Sequence, residues 1–122
     1  MFTTKNKAAI EFYKQACSAE EMGDLDLAEV YYVKSAYAFE QMGRADYLNA
    51  ANAFNALAFL RESRGNHKGA LCAAKKSAQI MENYRDQPAT YDAELIRMTA
   101  WELINDLISF EIDSRTLISQ AG

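Results

Sequence analysis

AANAFNALAFLRESRGNHKGALCAAKKSA, residues Ala50 to Ala78, reads as two amphipathic helices folded back on each other at Gly65. In the first half Ala51, Phe54, Leu57 and Ala58 recur at the spacing of a helix with one buried face. In the second half Ala70, Ala73, Ala74, Ser77 and Ala78 are again helical and again small on one side. Between them Gly65 can take the left-handed conformation that ends a helix, and Asn66 can cap the next one. Small residues at the contact points let two helices approach closely, so the stretch is a helical hairpin with an Ala-rich seam.

The separation of Gly23 from Gly65, 42 residues, is also the separation of two copies of this stretch. Ala8/Ala50, Ala9/Ala51, Phe12/Phe54, Ala16/Ala58, Glu20/Glu62, Ala28/Ala70, Lys34/Lys76, Ser35/Ser77, Ala36/Ala78 and Glu40/Glu82 are identical pairs at that shift. A second shift carries Ala51 to Ala93, Phe54 to Ile96 and Ala58 to Ala100, which puts three first helices in register. No Gly stop recurs at Leu107, where a third one falls due.

Residues 1 to 5 are expected to fray and the first helix to run to about Met22. Gly23-Asp24 is the turn, and Asp26 with Glu29 makes a capping-box-like start for the second helix. That helix carries Tyr31, Tyr32, Tyr37 and Phe39 on more than one side, as an inner member of a stack must. Gly43 closes it and Asp46 opens the third helix. Pro88 fits the first turn of a last helix that runs without a breaker to about Ser119. Apolar residues from Leu95 to Ile112 point all round that helix, which predicts that one face covers the second repeat and the other meets a second copy of the chain in a homodimer.

These features resemble the tetratricopeptide repeat: the aromatic-to-small spacing of Phe12/Ala16 and Phe54/Ala58, the Gly turns at 23 and 65, the small residues Ala28 and Ala70, and aromatic Tyr32. The 42-residue spacing and the run NALAFLRESRGNHKGA are similar to the longer repeats of kinesin light chains and their bacterial relatives. Gln15, Arg61, His67 and Ala74 depart from the large apolar residues usual there. The resemblance implies an all-α fold, a right-handed stack of antiparallel helix pairs forming an α-solenoid. Its repeats would span about 6–43 and 46–84, with a long C-terminal capping helix over about 88–119, all in one domain.

It also implies a concave groove lined by the first helix of each repeat. The matching positions are Ile10, Tyr13, Cys17 and Glu20, then Asn52, Asn55, Phe59 and Glu62, and in the last helix Glu94, Arg97, Trp101 and Ile104. Aromatic and aliphatic contacts edged by carboxylates suit an apolar peptide segment with a positive charge. The clamp by which some relatives hold the C-terminal carboxylate of chaperones is not reproduced, because Tyr13, Cys17 and Ala56 stand where Lys and Asn are needed.

Composition narrows the alternatives. A net charge of −4 without a basic cluster lacks the phosphate-neutralising surface of a nucleic-acid binder. MFTTKNK leads into helix and not into a signal-peptide apolar run, and no uncharged stretch is long enough to cross a bilayer. Cys17 and Cys72 inside helices read as reduced, buried thiols of a cytoplasmic protein. His67, the single histidine, stands beside the turn without ligand-spaced neighbours, so it reads as an exposed turn residue and no metal or cofactor is expected. Adjacent Glu20 and Glu21 diverge on a helix and do not form a catalytic carboxylate pair. No Gly-rich phosphate loop or nucleophile turn is present, and an enzyme is not expected.

Glu20 and Glu62 sit where a negative charge opposes the helix dipole, which points to a tertiary role for both. The leading expectation is a non-catalytic protein–protein interaction module that binds a peptide or partner segment. The alternatives are a structural homodimer formed through the C-terminal helix, at Met98, Ile104, Ile108, Phe110 and Ile112, and a peptide-sensing regulator.

Overall fold

A computed structural model describes the backbone of residues 4–121 and the side chains of 6–116. It is all-helical among the described residues: α1 (Thr4–Glu21), α2 (Leu25–Glu40), α3 (Tyr47–Ser63), α4 (His67–Asn83) and α5 (Tyr91–Ala121), with one 3-10 turn at Gly43–Asp46. Each helix packs on the next, and α5 packs on α3 as well as α4, an arrangement compatible with a helical repeat. Of the five residues expected to fray, Thr4 and Lys5 already belong to α1, and the first three lie outside the described residues.

Both glycine stops are left-handed, Gly23 at φ +80° and Gly65 at φ +81°. At each, the N–H of the residue after the glycine reaches back across the last turn: Asp24 N–H to the Ala19 carbonyl at 2.9 Å, and Asn66 N–H to the Arg61 carbonyl at 2.8 Å. The orphaned carbonyls of the helix end are thus satisfied by the turn itself. The next helix starts at once. Asp24 accepts from Leu27 N–H at 3.2 Å and Asn66 from Gly69 N–H at 3.0 Å.

Three helix starts differ from the sequence reading. Asp24, not Asp26, caps α2, and Asp26 is an ion-pair partner of Arg64. α5 begins at Tyr91 and not at Pro88, because the Thr90 hydroxyl accepts from Ala93 N–H at 3.1 Å and fixes the start there. Asp46 precedes α3 without capping its backbone; its carboxylate takes the amides of Asn6 and Asn49 instead.

The core is built from the three registers. Ala9, Ala51 and Ala93, and Ala16, Ala58 and Ala100, are all buried, as are Ala28, Ala36, Ala70 and Ala78 on the second helices. Ser35 donates to the Ala9 carbonyl at 2.9 Å, a bond possible only because both residues are small. Aromatic side chains of α2 pack in two directions: Tyr31 on Phe12 and Tyr32 on Tyr13 of α1, Tyr37 on Phe54 of α3. Arg61 and Arg64 at the end of α3 pair with Glu29 of α2. Lys76 of α4 pairs with Glu40 of α2. Partly exposed pairs of this kind steer the packing more than they stabilise it.

α5 is about 46 Å long at the usual rise per residue. It buries Ala93, Ala100, Leu103, Ile104 and Leu107 against α3 and α4. Its opposite side exposes Tyr91, Met98, Trp101 and Ile112. Ile104, expected both in the groove and in an oligomer contact, is 4% exposed and belongs to the core. His67 is half-buried, not free in the turn, its ring 4.1 Å from that of Phe110. Cys17 is half-buried as a packing residue, but Cys72 is exposed, contrary to expectation, since α4 presents that side to solvent.

A Cβ at Gly65 would meet nothing within 4 Å, so Gly65→Ala carries only the left-handed backbone strain. That strain is about 1 kcal/mol. The expected result is a melting temperature lower by about 3–5 °C for a domain of this size. A melt equal to the wild type by circular dichroism would contradict the turn's role.

Candidate binding face on helices 1, 3 and 5

α1 and α3 lie side by side across α2, and their outer rows meet in a depression of 230 Å³ lined by Ile10, Tyr13, Lys14, Phe39, Asn49 and Asn52. Asn52 donates to the Tyr13 hydroxyl at 3.3 Å and ties the two helices together across it. The Tyr13 ring stands edge-on to Tyr32, at 5.6 Å between centroids. Tyr32, buried, donates to Glu20 Oε1 at 2.7 Å, and Cys17 Sγ lies 3.6 Å from the same hydroxyl. Tyr13, Cys17 and Glu20 therefore form one cluster around Tyr32, and the misplaced charge of Glu20 is explained by the phenol that holds it.

The second repeat has Ala74 where the first has Tyr32, and the Glu62 carboxylate makes no ion pair or hydrogen bond among the described residues. Phe59, next on the solvent-facing row after Asn52 and Ala56, is 51% exposed, and Trp101, 42 positions on, is 52% exposed. Neither is a core residue. Arg97 is half-buried and pairs with Glu94 at 2.5 Å.

Asn55 is the one expected groove residue on α3 that the fold removes. It is 4% exposed and donates to the Ile96 carbonyl of α5 at 3.2 Å. Its side chain serves the α3–α5 contact because the helix turns it about 60° from the row of Asn52 and Phe59 toward the next helix. The exposed row of α3 is Asn49, Asn52 and Phe59, with Ala56 half-buried between them; its counterpart on α5 is Tyr91, Glu94, Met98 and Trp101. Tyr91 and Met98 were legible as such only by carrying Asn49 and Ala56 forward by one repeat.

A second hollow, of 310 Å³, lies where the end of α2, the start of α3 and the end of α4 meet, between Tyr47 and Tyr84. Its charges are already committed to each other, Lys76 Nζ to Glu40 Oε2 at 3.1 Å. Among the described residues no three of His, Cys, Asp and Glu converge as metal ligands, and no helix is long and apolar enough to cross a membrane.

Compared with protein-family models, with curated proteins and with solved structures, the chain matches none.

Burial raises the Tyr32 phenol far above the ordinary tyrosine value, and its bonds to Cys17 and Glu20 act in the same direction. Tyr13 is raised too, again chiefly by burial. The unfolded chain loses these protons near pH 10 while the folded chain keeps them. The associated stability is complete below about pH 10 and is lost as pH rises beyond it. Above that pH the melting temperature of the wild type should fall more steeply than that of Tyr32→Phe; parallel curves would contradict this assignment.

Asn55 and Phe59 separate core from face. Asn55→Ala strips a buried hydrogen bond and should cost about 1–2 kcal/mol. Phe59→Ala should change stability by about 0.5 kcal/mol or less. Denaturant titration of both variants checks the pair, and equal losses would mean that Phe59 is structural.

Proposed function

We propose that the chain is a non-catalytic protein–protein interaction module of the tetratricopeptide-repeat type. In this reading its helix pairs form a right-handed solenoid whose inner, concave side is the face of α1, α3 and α5, and a partner segment lies along it. The observation that carries the reading is the recurrence of Phe59 and Trp101, half-exposed aromatics at the same position of successive first helices. Large aromatic side chains held on rigid helices at a regular interval are what anchor a bound segment, since little conformational freedom is lost when they are covered.

The chemistry of the rows favours an apolar segment with a positive charge. Aromatic rings supply the contact area, and Glu62, which has no internal partner among the described residues, supplies an acidic edge. Glu20 is available on one oxygen, the other being held by Tyr32. Two unpaired thiols agree with a reducing, cytoplasmic setting.

The test is a fluorescence-polarisation titration with short Leu-rich peptides carrying Lys, against the same peptides carrying Glu. The Lys set should bind, should weaken with salt, and should lose about tenfold or more with Phe59→Ala and with Trp101→Ala. Equal affinity for both peptide sets, or for wild type and both variants, would overturn the reading.

A further inference from the structure

The exposed row of α5 does not stop where its counterpart on α3 does. It continues for two more turns in steps of seven: Tyr91, Met98, Asn105 and Ile112, interleaved with Glu94, Trp101, Ile108 and Arg115. This is the seam spacing by which one helix packs along another, and here it lies opposite the face that α5 buries on α3 and α4. About half of each of Leu95, Met98, Trp101 and Ile112, and most of Tyr91, is exposed. At ~150–250 Å² for a large side chain this leaves roughly 600 Å² of apolar surface on one helix. A stable interface buries about 800 Å² per partner.

We infer that the occupant of this seam is α5 of a second copy, antiparallel, across a two-fold axis near Leu103. In that register Met98 meets Ile108 of the partner subunit, Trp101 meets Asn105 of the partner subunit, and Glu94 meets Ile112 of the partner subunit. Arg97 on the flank meets Glu111 of the partner subunit, an attractive pair that the two-fold axis repeats. Glu102 meets its own copy near the axis, a like-charge contact between exposed groups that solvent weakens. The parallel alternative stacks Glu94 on Glu94 and Arg115 on Arg115 in the seam itself, so the charges select the antiparallel form.

The consequence deepens the proposed function and rests on it. Met98 and Trp101 belong both to the seam and to the row that continues Phe59 of α3, so the dimer covers part of the binding face. Self-association and partner binding exclude each other, and the dimer is the closed state.

Sedimentation equilibrium at micromolar concentration should give a dimer. Ile108→Glu, placed beyond the part of α5 that corresponds to the exposed row of α3, should give a monomer with an unchanged helical circular-dichroism spectrum and a melt that no longer depends on protein concentration. Arg97→Glu should weaken the dimer by about tenfold, and Arg97→Glu with Glu111→Arg should restore it. In a Cys72→Ser background, mild oxidation should cross-link Glu102→Cys to its own copy and leave Tyr91→Cys uncross-linked. A wild-type monomer, or cross-linking of Tyr91→Cys as efficient as that of Glu102→Cys, would overturn the inference. The Lys peptides, titrated into the Ile108→Glu monomer, keep the two readings apart. Peptide binding by a protein that never dimerises sinks only the dimer, and a dimer whose monomeric variant ignores the peptides sinks only the groove. With both correct, the peptides bind the monomeric variant more tightly than the wild type and convert the wild-type dimer to monomer; binding without any such competition would overturn the exclusion.

Discussion

The fold depends on how closely its helices can approach, and alanine sets that distance. Ala9, Ala16, Ala51, Ala58, Ala93 and Ala100 sit where successive first helices are crossed by their neighbours, each buried and each without a side chain to hold the neighbour off. An added methylene at such a place has nowhere to go in a close-packed interior. The larger residues fill what the alanines leave open: Phe54, Leu57, Leu60 and Met81 between α3 and its neighbours, Tyr32 and Phe39 on α2. The seam also decides which side of each first helix remains outside. With the alanine side committed inward, the row through Asn52 and Phe59 stays on the outside of α3, touched by Tyr13 of α1 at Asn52 and half-exposed at Phe59.

The two repeats share this frame but differ in how their outer ends are finished. In the first, Tyr32 fastens Glu20 and touches Cys17, and Asn52 reaches back to Tyr13, so the polar groups are spoken for. In the second, Ala74 replaces the tyrosine and the half-buried Glu62 has no such side-chain partner among the described residues. What the second repeat has instead is arginine: Arg61 bridges Glu29 of α2 and the Gly69 carbonyl of α4, joining three helices at one guanidinium. Arg61, which departs from the repeat pattern, thus connects one repeat to the next.

The sequence was most legible where the physics is local or strictly periodic. Gly23 and Gly65 could be read as left-handed because nothing else stops a helix between two Ala-rich runs, and the buried alanines could be read because they recur at one interval. Reading failed where a distant partner decided between local options. Asp24 and Asp26 both suit a cap; Arg64, 38 residues away, claims Asp26. Pro88 and Thr90 both suit a helix start, and the hydroxyl of Thr90 wins by satisfying a backbone donor. Asn55 looked like a surface residue because it is polar, yet a helical carbonyl has a second lone pair and Ile96 offers it. On α5 the apolar pattern was visible on every side, but which side faces inward followed only from the alanines at 93 and 100.

Because every helix rests on its neighbours in sequence, the chain makes few contacts that must wait for distant segments to meet. Low contact order of this kind belongs to domains that fold in microseconds to milliseconds, and in a stack the folded region can spread from any nucleus. Within a single chain α5 is held on one side only, as a helix at the end of the stack, and so can lift away while the helices before it stay intact. Its amides, though set in a regular helix, would then exchange with solvent through openings far smaller than global unfolding.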